Sequence, residues 1–433
     1  MRGNPVLVIL IFSTIVLAID AYSWWGITKI ISGLRPGVKK LIALFYWVVP
    51  VIILLGLTVI LIFQAHIPGD RILSYFHLIS GSFIVFYIPK IIFVFFNIFD
   101  DLIFQIRKFL TLRKLGAVSS ESAGKKITRR KLLTQVGIVF AGMPFLPLTY
   151  GIAFGRFDFT IRKMQMSFKR LPESFKGIKI VQISDFHIGT FIHHADQVAN
   201  LVDLVNAQEP DLLLFTGDFV NNLSTEMDSF LDNLSKFRAN IGKYSILGNH
   251  DYGEYVPWHT EKEKQANLNR LLRLQRDIGF DLLLDESRKI RISDQEIELI
   301  GIQNWGLPPF PQYGDLGKAM RGVGRNTFKI LMSHDPTHWD AQVREKTDID
   351  LMLSGHTHGA QFGIEIPGWR WSPVTMRYKQ WGGLYTEGEQ SLYVNTGLGS
   401  IGYPGRVGMP PEITVFELHN TRQHPASSED TNV

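Results

Sequence analysis

The sequence predicts an α/β domain preceded by an all-α transmembrane region of about four helices. Three observations lead there. Residues up to about 155 are dominated by long apolar runs, whereas from Arg156 onward short apolar segments alternate with helical ones, the pattern of sheets covered by helices. Several of those short segments end in Asp, Asn or His, where α/β sheets gather their active sites. The boundaries read as 1–155 for the membrane region, 156–419 for the soluble domain and 420–433 for a polar tail expected to be disordered.

A spanning helix needs roughly 20 mainly apolar residues. Candidates run from Pro5 to Trp25, Leu41 to Gln64, Ile72 to Phe96 and Leu132 to Phe154. Leu41 to Phe63 carries no charge at all, which sets it apart from a buried helix of a soluble protein. Asp20 and the bulky Tyr22-Ser23-Trp24-Trp25 do not resemble a small-residue cleavage site, so the first segment reads as a span and not as a signal peptide.

Positive charge sets the orientation. Lys29, Arg35, Lys39 and Lys40 put the first loop in the cytoplasm, and nine Lys and Arg residues between Arg107 and Lys131 put the third connection there too. The expected location is the cell membrane, multi-pass, with the soluble domain outside the cytoplasm. Pro89-Lys90 interrupts the third segment; two helices there would move the domain to the other side. Thr128-Arg129-Arg130-Lys131-Leu132-Leu133 reads either as an internal twin-arginine export signal or as plain positive-inside charge.

The chain has no cysteine, which excludes disulfides, thiolate metal sites and a Cys nucleophile. A net charge of +5 without a long basic stripe does not indicate a nucleic-acid partner, and no protein partner is evident. The lipid bilayer is the partner the apolar runs imply.

In the soluble half, strands are expected at Ile178–Ile183, Leu212–Phe215, Tyr244–Leu247, Glu298–Ile302, Lys329–Met332, Leu351–Leu353 and Leu392–Asn395. Helices are expected at Ala195–Ala207, Glu226–Phe237 and Glu261–Asp277. Asp185 and His187 follow the first of these strands and Asp218 the second; Asn249, His250 and Asp251 follow the third. His334 follows the strand at 329–332, and His356 and His358 the one at 351–353. A lone His is more often a core or surface residue than a ligand, and His193, His194, His259 and His338 are read as surface residues. The set at the strand ends is different, because it offers enough imidazole and oxygen ligands for two metal ions.

The series Asp-x-His, Gly-Asp, Gly-Asn-His-Asp, His and Gly-His-Thr-His, spread over about Gly177 to Gly399, resembles the calcineurin-like metallophosphoesterase superfamily. With apolar spans ahead of it, the chain is similar to the bacterial transmembrane or Tat-exported branch. The resemblance implies a β-sandwich flanked by helices and a metal-dependent phosphoric ester hydrolase. It implies that Asp185, His187 and His358 hold one divalent metal, that Asn249, His334 and His356 hold a second, and that Asp218 bridges them. It makes His250, oriented by Asp251, the group that faces the substrate and either protonates the leaving oxygen or stabilises the phosphoryl charge. Mixed N and O ligands suit Mn, Fe, Zn or Ni-type ions, and paired ions can activate hydroxide for in-line attack on phosphorus.

The expected reaction is hydrolysis of a phosphodiester or pyrophosphate bond, in a substrate that membrane anchoring makes a lipid or cell-envelope molecule. Arg406 is a candidate to bind a further phosphate, and Trp369, Trp371, Tyr378, Trp381 and Tyr385 could line a groove for an acyl chain or glycan or pack as core. Two alternatives stand beside it. One is a pyrophosphate hydrolase of a UDP-linked diacylglucosamine in lipid A synthesis, which needs the domain inside the cytoplasm. The other is a non-catalytic binding module on the same scaffold.

Overall fold

The computed structural model describes residues 5–63, 69–113 and 135–421. It divides into two compact units, Met1–Ala153 with Gly402–Pro404, and the remainder.

The first unit holds four helices long and apolar enough to cross a membrane. Three of them run Pro5–Ile30, Pro36–Phe63 and Gly69–Arg113; the fourth span covers Gln135–Ala153. Large apolar side chains such as Leu44, Phe45, Ile52, Leu55 and Leu78 point outward, the reverse of a water-soluble bundle. The third helix is longer than the apolar run indicated and passes through Pro89 without a break. Membrane helices tolerate interior proline because neighbouring groups re-satisfy the freed carbonyl. Among the described residues the candidate spans number four, with the third a single helix through Pro89. The basic residues from Lys114 to Lys131 and the Thr128–Leu133 motif lie outside the described residues.

Inside this bundle sits a polar cluster. Lys90 Nζ is 2.5 Å from Asp20 Oδ1, and the Tyr87 hydroxyl donates to Asp20 Oδ2 at 2.6 Å. Tyr46 donates to the Asp20 carbonyl at 2.8 Å. A carboxylate in a membrane core needs such partners, since lipid offers none.

The second unit is a sandwich of two six-stranded sheets. Its strands are β1 (Thr160–Phe168), β2 (Lys179–Ile183), β3 (Leu212–Phe215), β4 (Gly242–Ser245), β5 (Asp281–Leu282), β6 (Glu286–Ile292) and β7 (Gln295–Gly301). They continue with β8 (Lys329–Met332), β9 (Leu351–Ser354), β10 (Ile364–Ile366), β11 (Trp369–Trp371), β12 (Gly383–Glu387), β13 (Gln390–Val394) and β14 (Glu412–Asn420). One sheet runs β1-β14-β2-β3-β4-β5 and the other β12-β13-β9-β8-β7-β6, while β10 and β11 form a separate hairpin.

Alternation along each strand builds the layers. Ile180, Leu212 and Leu214 meet Ile330, Met332, Leu351 and Leu353 between the sheets. Val181, Ile183, Leu213 and Phe215 face the other way, onto helices Ala195–Asn206 and Glu261–Asp277. β2, β3 and β4 are mutually parallel, as are β7, β8 and β9, so the ends of both parallel runs converge on one edge of the sandwich. Buried Gln182 ties them there, its amide donating to Thr216 Oγ1 on one side and to the Ser354 carbonyl on the other.

Two expectations need correction. The helix expected at Glu226–Phe237 is a 3-10 segment, Ser224–Phe230, followed by one α turn, Leu231–Leu234. The Glu226 carboxylate folds back on the N–H groups of Asn221, Asn222 and Leu223, which closes a tight loop instead of starting a long helix. The last strand extends to Asn420, past the boundary placed at 419; the tail from residue 422 lies outside the described residues.

Candidate metal centre

Seven side chains meet where the two parallel runs end. Asp185 and His187 follow β2, Asp218 follows β3, and Asn249 lies beyond β4. His334 follows β8, and His356 and His358 follow β9. Five of these residues take a left-handed backbone: Asp185 (φ 50°), His187 (45°), Asp218 (61°), His356 (74°) and His358 (52°). L-residues rarely adopt that region, and functional sites are where such strain collects. The turn throws each side chain inward at the moment its strand stops.

Glycine makes the closest approach possible. A Cβ on Gly355 would stand 2.0 Å from Ser184 Oγ and 2.2 Å from Asp185 Oδ2.

The ligand atoms fall into two groups, Asp185 with His187 and His358, and Asp218 with His334 and His356, each within 4.8 Å. His187 Nε2 lies 3.1 Å from His358 Nε2, and His358 Nε2 lies 3.2 Å from Asp185 Oδ1. His334 Nε2 is 3.1 Å from Asp218 Oδ2 and 3.3 Å from His356 Nδ1. Asp218 also reaches the other group, with Oδ2 3.6 Å from His187 Nε2.

Neighbours fix which atoms face inward. His334 Nδ1 meets the Thr216 carbonyl at 2.7 Å; a carbonyl only accepts, so this nitrogen carries the proton and Nε2 is left for a ligand bond. The Asn249 amide donates to the Tyr255 hydroxyl at 2.8 Å, turning Oδ1 the opposite way. That oxygen is buried and has no hydrogen-bond partner among the described residues. A buried carbonyl oxygen without a donor is costly, and a cation is the partner this one fits.

Electrostatics point the same way. Burial alone would raise Asp185 and Asp218, but His358 and His334 beside the first, and His334 and His250 beside the second, hold both well below the usual carboxylate range. Burial works against charge on His334, yet Asp218 and Asp185 outweigh it and lift its pKa to about 10. Burial first, and then His250, depresses His187 well below its ordinary value. The two carboxylates demand positive charge, and the His334 proton is what the chain itself can supply. A divalent cation would supply it better and displace that proton.

The centre opens into a cleft of about 370 Å³ lined by Asp218, Asn249, His250, Tyr255, Phe310 and His356, with Arg377, Tyr378 and Ile401 further along. His250 stands at its wall. Its Nδ1 meets the Asn221 carbonyl at 2.7 Å, which places a proton on that nitrogen, and its backbone N–H donates to Asp218 Oδ1 at 2.8 Å.

Asp251 does not orient that ring. Its carboxylate accepts four backbone N–H bonds, from Phe219 (2.8 Å) and Val220 (3.3 Å) on Oδ1 and from Asp218 and Gly248 (both 2.9 Å) on Oδ2. It splints the two loops that carry Asp218 and Asn249. The Asn221 carbonyl does what was expected of Asp251.

Arg406 is also placed differently from the expected phosphate contact. It is 2% exposed, and its guanidinium donates to the carbonyls of Gly399, Thr396 and Met409 and to His358 Nδ1 at 3.3 Å. It braces the loops behind His358 and lines no part of the cleft. The arginine on the cleft wall is Arg377.

Sequence reasoning also missed Asn221, Tyr255 and Asp335, while Tyr378, read as a groove-lining or core aromatic, does line the cleft. Asp335 Oδ2 lies 3.4 Å from His356 Nε2, and the Tyr378 hydroxyl 2.9 Å from the same nitrogen. Asp335 adjoins His334 in sequence, the one signal that could have drawn attention to it. Trp381 and Tyr378 are buried, whereas Trp369 and Trp371 are not. His338, expected at the surface, is buried against Trp305.

A β-sandwich whose parallel strands deliver Asp and His ligands to one edge, behind four apolar spans, defines a membrane-anchored metallophosphoesterase. The chain belongs to the calcineurin-like metallophosphoesterase family. Residues 178–360 match the family model described as calcineurin-like phosphoesterase, and residues 2–156 match a "probable calcineurin-like phosphoesterase, transmembrane domain". The chain is 32% identical to the metallophosphoesterase YkuE of Bacillus subtilis over 69% of its own length and 99% of that protein's. It is 30% identical to the phosphodiesterase YaeI of Escherichia coli, over 55% of this chain and 82% of that one. A Danio rerio transmembrane protein with metallophosphoesterase domain is 28% identical over 59% of this chain, which spans 56% of that protein. The protein is accordingly a hydrolase of phosphoric esters with a candidate site for divalent metal.

Proposed function

We propose that this enzyme binds two divalent ions of the Mn, Fe, Zn or Ni type and hydrolyses a phosphodiester or pyrophosphate bond in a lipid or cell-envelope substrate, on the non-cytoplasmic side of the membrane. Asp185, His187 and His358 would hold one ion, Asn249, His334 and His356 the other, and Asp218 would bridge them. The observation that carries the reading is Asn249 Oδ1, buried, without a donor and fixed in direction by Tyr255. No carboxylate or imidazole network explains it. Bound in such a site, paired ions neutralise phosphoryl oxygens and make hydroxide available near neutral pH.

The chain's own residues do the rest. With Asp185 and Asp218 returning only two negative charges to two dications, the centre stays positive and attracts a phosphate. His250 holds one proton on Nδ1 against the Asn221 carbonyl, so a second, on Nε2, can go to the leaving oxygen. Tyr255, tilted against His250 with ring centroids 4.4 Å apart, and Phe310, edge-on to His356 at 4.5 Å, give the cleft apolar walls. The cation over those walls is Arg377, 5.0 Å from the Phe310 ring. Placement outside the cytoplasm is supported by the basic first loop and by the basic end of the uninterrupted third helix.

The test is turnover of bis(p-nitrophenyl) phosphate by the full chain in detergent, metal-free and reloaded with Mn, for wild type and His250→Ala. Wild type should require metal. The variant should keep its metals and lose roughly 10²–10⁴-fold in rate, with a larger deficit when the leaving group is phenol, which needs the proton more than p-nitrophenol does. Loss of metal from the variant would refute this division of labour. A metal-loaded wild type that turns over neither diesters nor pyrophosphates would favour the binding-module reading.

A further inference from the structure

We propose that the β10–β11 hairpin is a bilayer-docking element that seats its outer face in the lipid headgroup region. Ile364 pairs with Trp371, Glu365 with Arg370 and Ile366 with Trp369. Side chains alternate between the faces of a strand, so Ile364, Ile366, Trp369 and Trp371 share one face, and Glu365 and Arg370 share the other.

On an ordinary domain surface the apolar face would turn inward. Here the polar face is the one held to the domain. Glu365 pairs with Arg162 of β1 at 2.6 Å, and Arg370 lies 4.9 Å over the Trp381 ring and donates to the Tyr385 hydroxyl. The apolar face is left outward, with Ile364 49%, Ile366 53%, Trp369 53% and Trp371 45% exposed. Met376, just beyond, is 87% exposed. Scattered exposed apolar residues are ordinary, but a contiguous patch rimmed by polar groups marks a binding surface.

Several observations name the occupant. Tryptophan is enriched at the membrane–water interface, where an apolar ring with one polar edge fits both phases. Arg377 and Lys379 follow the hairpin and match anionic headgroups. Only residues 154–159 separate the last span from β1, a tether of about 20 Å at full extension, so this domain never leaves a bilayer. The hairpin also lies in sequence between His358 and the cleft residues Arg377 and Tyr378. Seated in the headgroups, it would present the cleft to phosphate esters held in the membrane; that consequence rests on the proposed activity, but the docking itself does not.

The absence of native cysteine makes the test direct. Trp369→Cys, and separately Ile366→Cys, are labelled with an environment-sensitive fluorophore in the full chain. Each is reconstituted in phosphatidylethanolamine/phosphatidylglycerol vesicles with and without lipid spin-labelled near the headgroup. Asp294→Cys, in the exposed β6–β7 turn, gives the aqueous reference. The expected result is a blue-shifted label at either hairpin position, quenched at least two-fold more by the spin-labelled lipid than the reference. A water-like, unquenched label at both positions overturns the proposal. So does a blue-shifted label that lipid does not quench, which would assign the face to a second copy of the chain. Neither readout depends on turnover, so an inactive enzyme leaves the test intact.

Discussion

Replacing Asp251 by Asn separates a structural role from a chemical one. Each carboxylate oxygen of Asp251 accepts two backbone N–H groups at 2.8–3.3 Å, from residues 218–220 and 248. An amide can present oxygen to one pair only, and its NH₂ would face the other pair donor to donor. Burial, and then Asp218, raise the Asp251 pKa to about 7, so the bonds lost are not those of a fully charged acceptor. Leaving two buried N–H groups without an acceptor costs about 1–3 kcal/mol each, for a total of about 2–6 kcal/mol. For a domain of this size that is a fall in melting temperature of roughly 4–24 °C. The loops carrying Asp218 and Asn249 would loosen together, so metal content should fall in parallel. The assay is thermal unfolding of the full chain in detergent, with bound metal counted on the same samples. A variant that melts within 2 °C of wild type, keeps its metals and still loses turnover would refute the splint and restore Asp251 as a partner of His250.

Asp218→Asn should lower metal content and turnover together, because the residue faces both ligand groups; full metal occupancy with normal turnover would remove it from the centre. Gly355→Ala should displace Asp185, given the 2.2 Å approach of a Cβ to its Oδ2, and weaken metal affinity at least tenfold by equilibrium titration. His338 is buried and neutral, with burial depressing its pKa to about 4 from 6.5. The unfolded chain binds the extra proton first, so stability present above pH 6.5 drains away as pH falls toward 4, on the order of 3 kcal/mol. Melts of His338→Gln should lose less over that window than wild type, and parallel losses would reject the assignment. In the membrane unit, Lys90→Met leaves Asp20 buried without its cation and should cost about 3–5 kcal/mol, whereas Asp20→Leu with Lys90→Met should recover most of it; equal expression of folded single and double variants would contradict this.

That the candidate ligands gather at one edge was legible because most stand just after an apolar strand, where a polar imidazole or carboxylate draws attention. Helix Glu261–Asp277 was expected with the bounds it has, and the structure shows its start fixed by Thr260, whose hydroxyl accepts from the Glu263 N–H. What escaped was whatever depends on distant partners. Asp251 is adjacent to His250 in sequence, yet three of the four N–H groups it accepts come from a loop some thirty residues away and the fourth from Gly248. Arg406 sits in a glycine-rich loop that looks exposed and is instead packed beneath His358. Strand β14 inserts between β1 and β2, a placement that local pattern cannot give, and no strand was expected there. The hairpin was visible only as a cluster of aromatics; which face looked outward required the Glu365–Arg162 pair.

The left-handed backbone at five of the seven metal-binding candidates has a consequence for transplantation. Copying Asp185, His187, Asp218, His356 and His358 onto the strand ends of another sandwich would not recreate the centre, because unstrained loops would aim the same side chains elsewhere. The transferable unit is the loop with its unfavourable turn, and the glycines and buried carboxylate that enforce it. A graft without them would carry every ligand in the correct order and hold no metal.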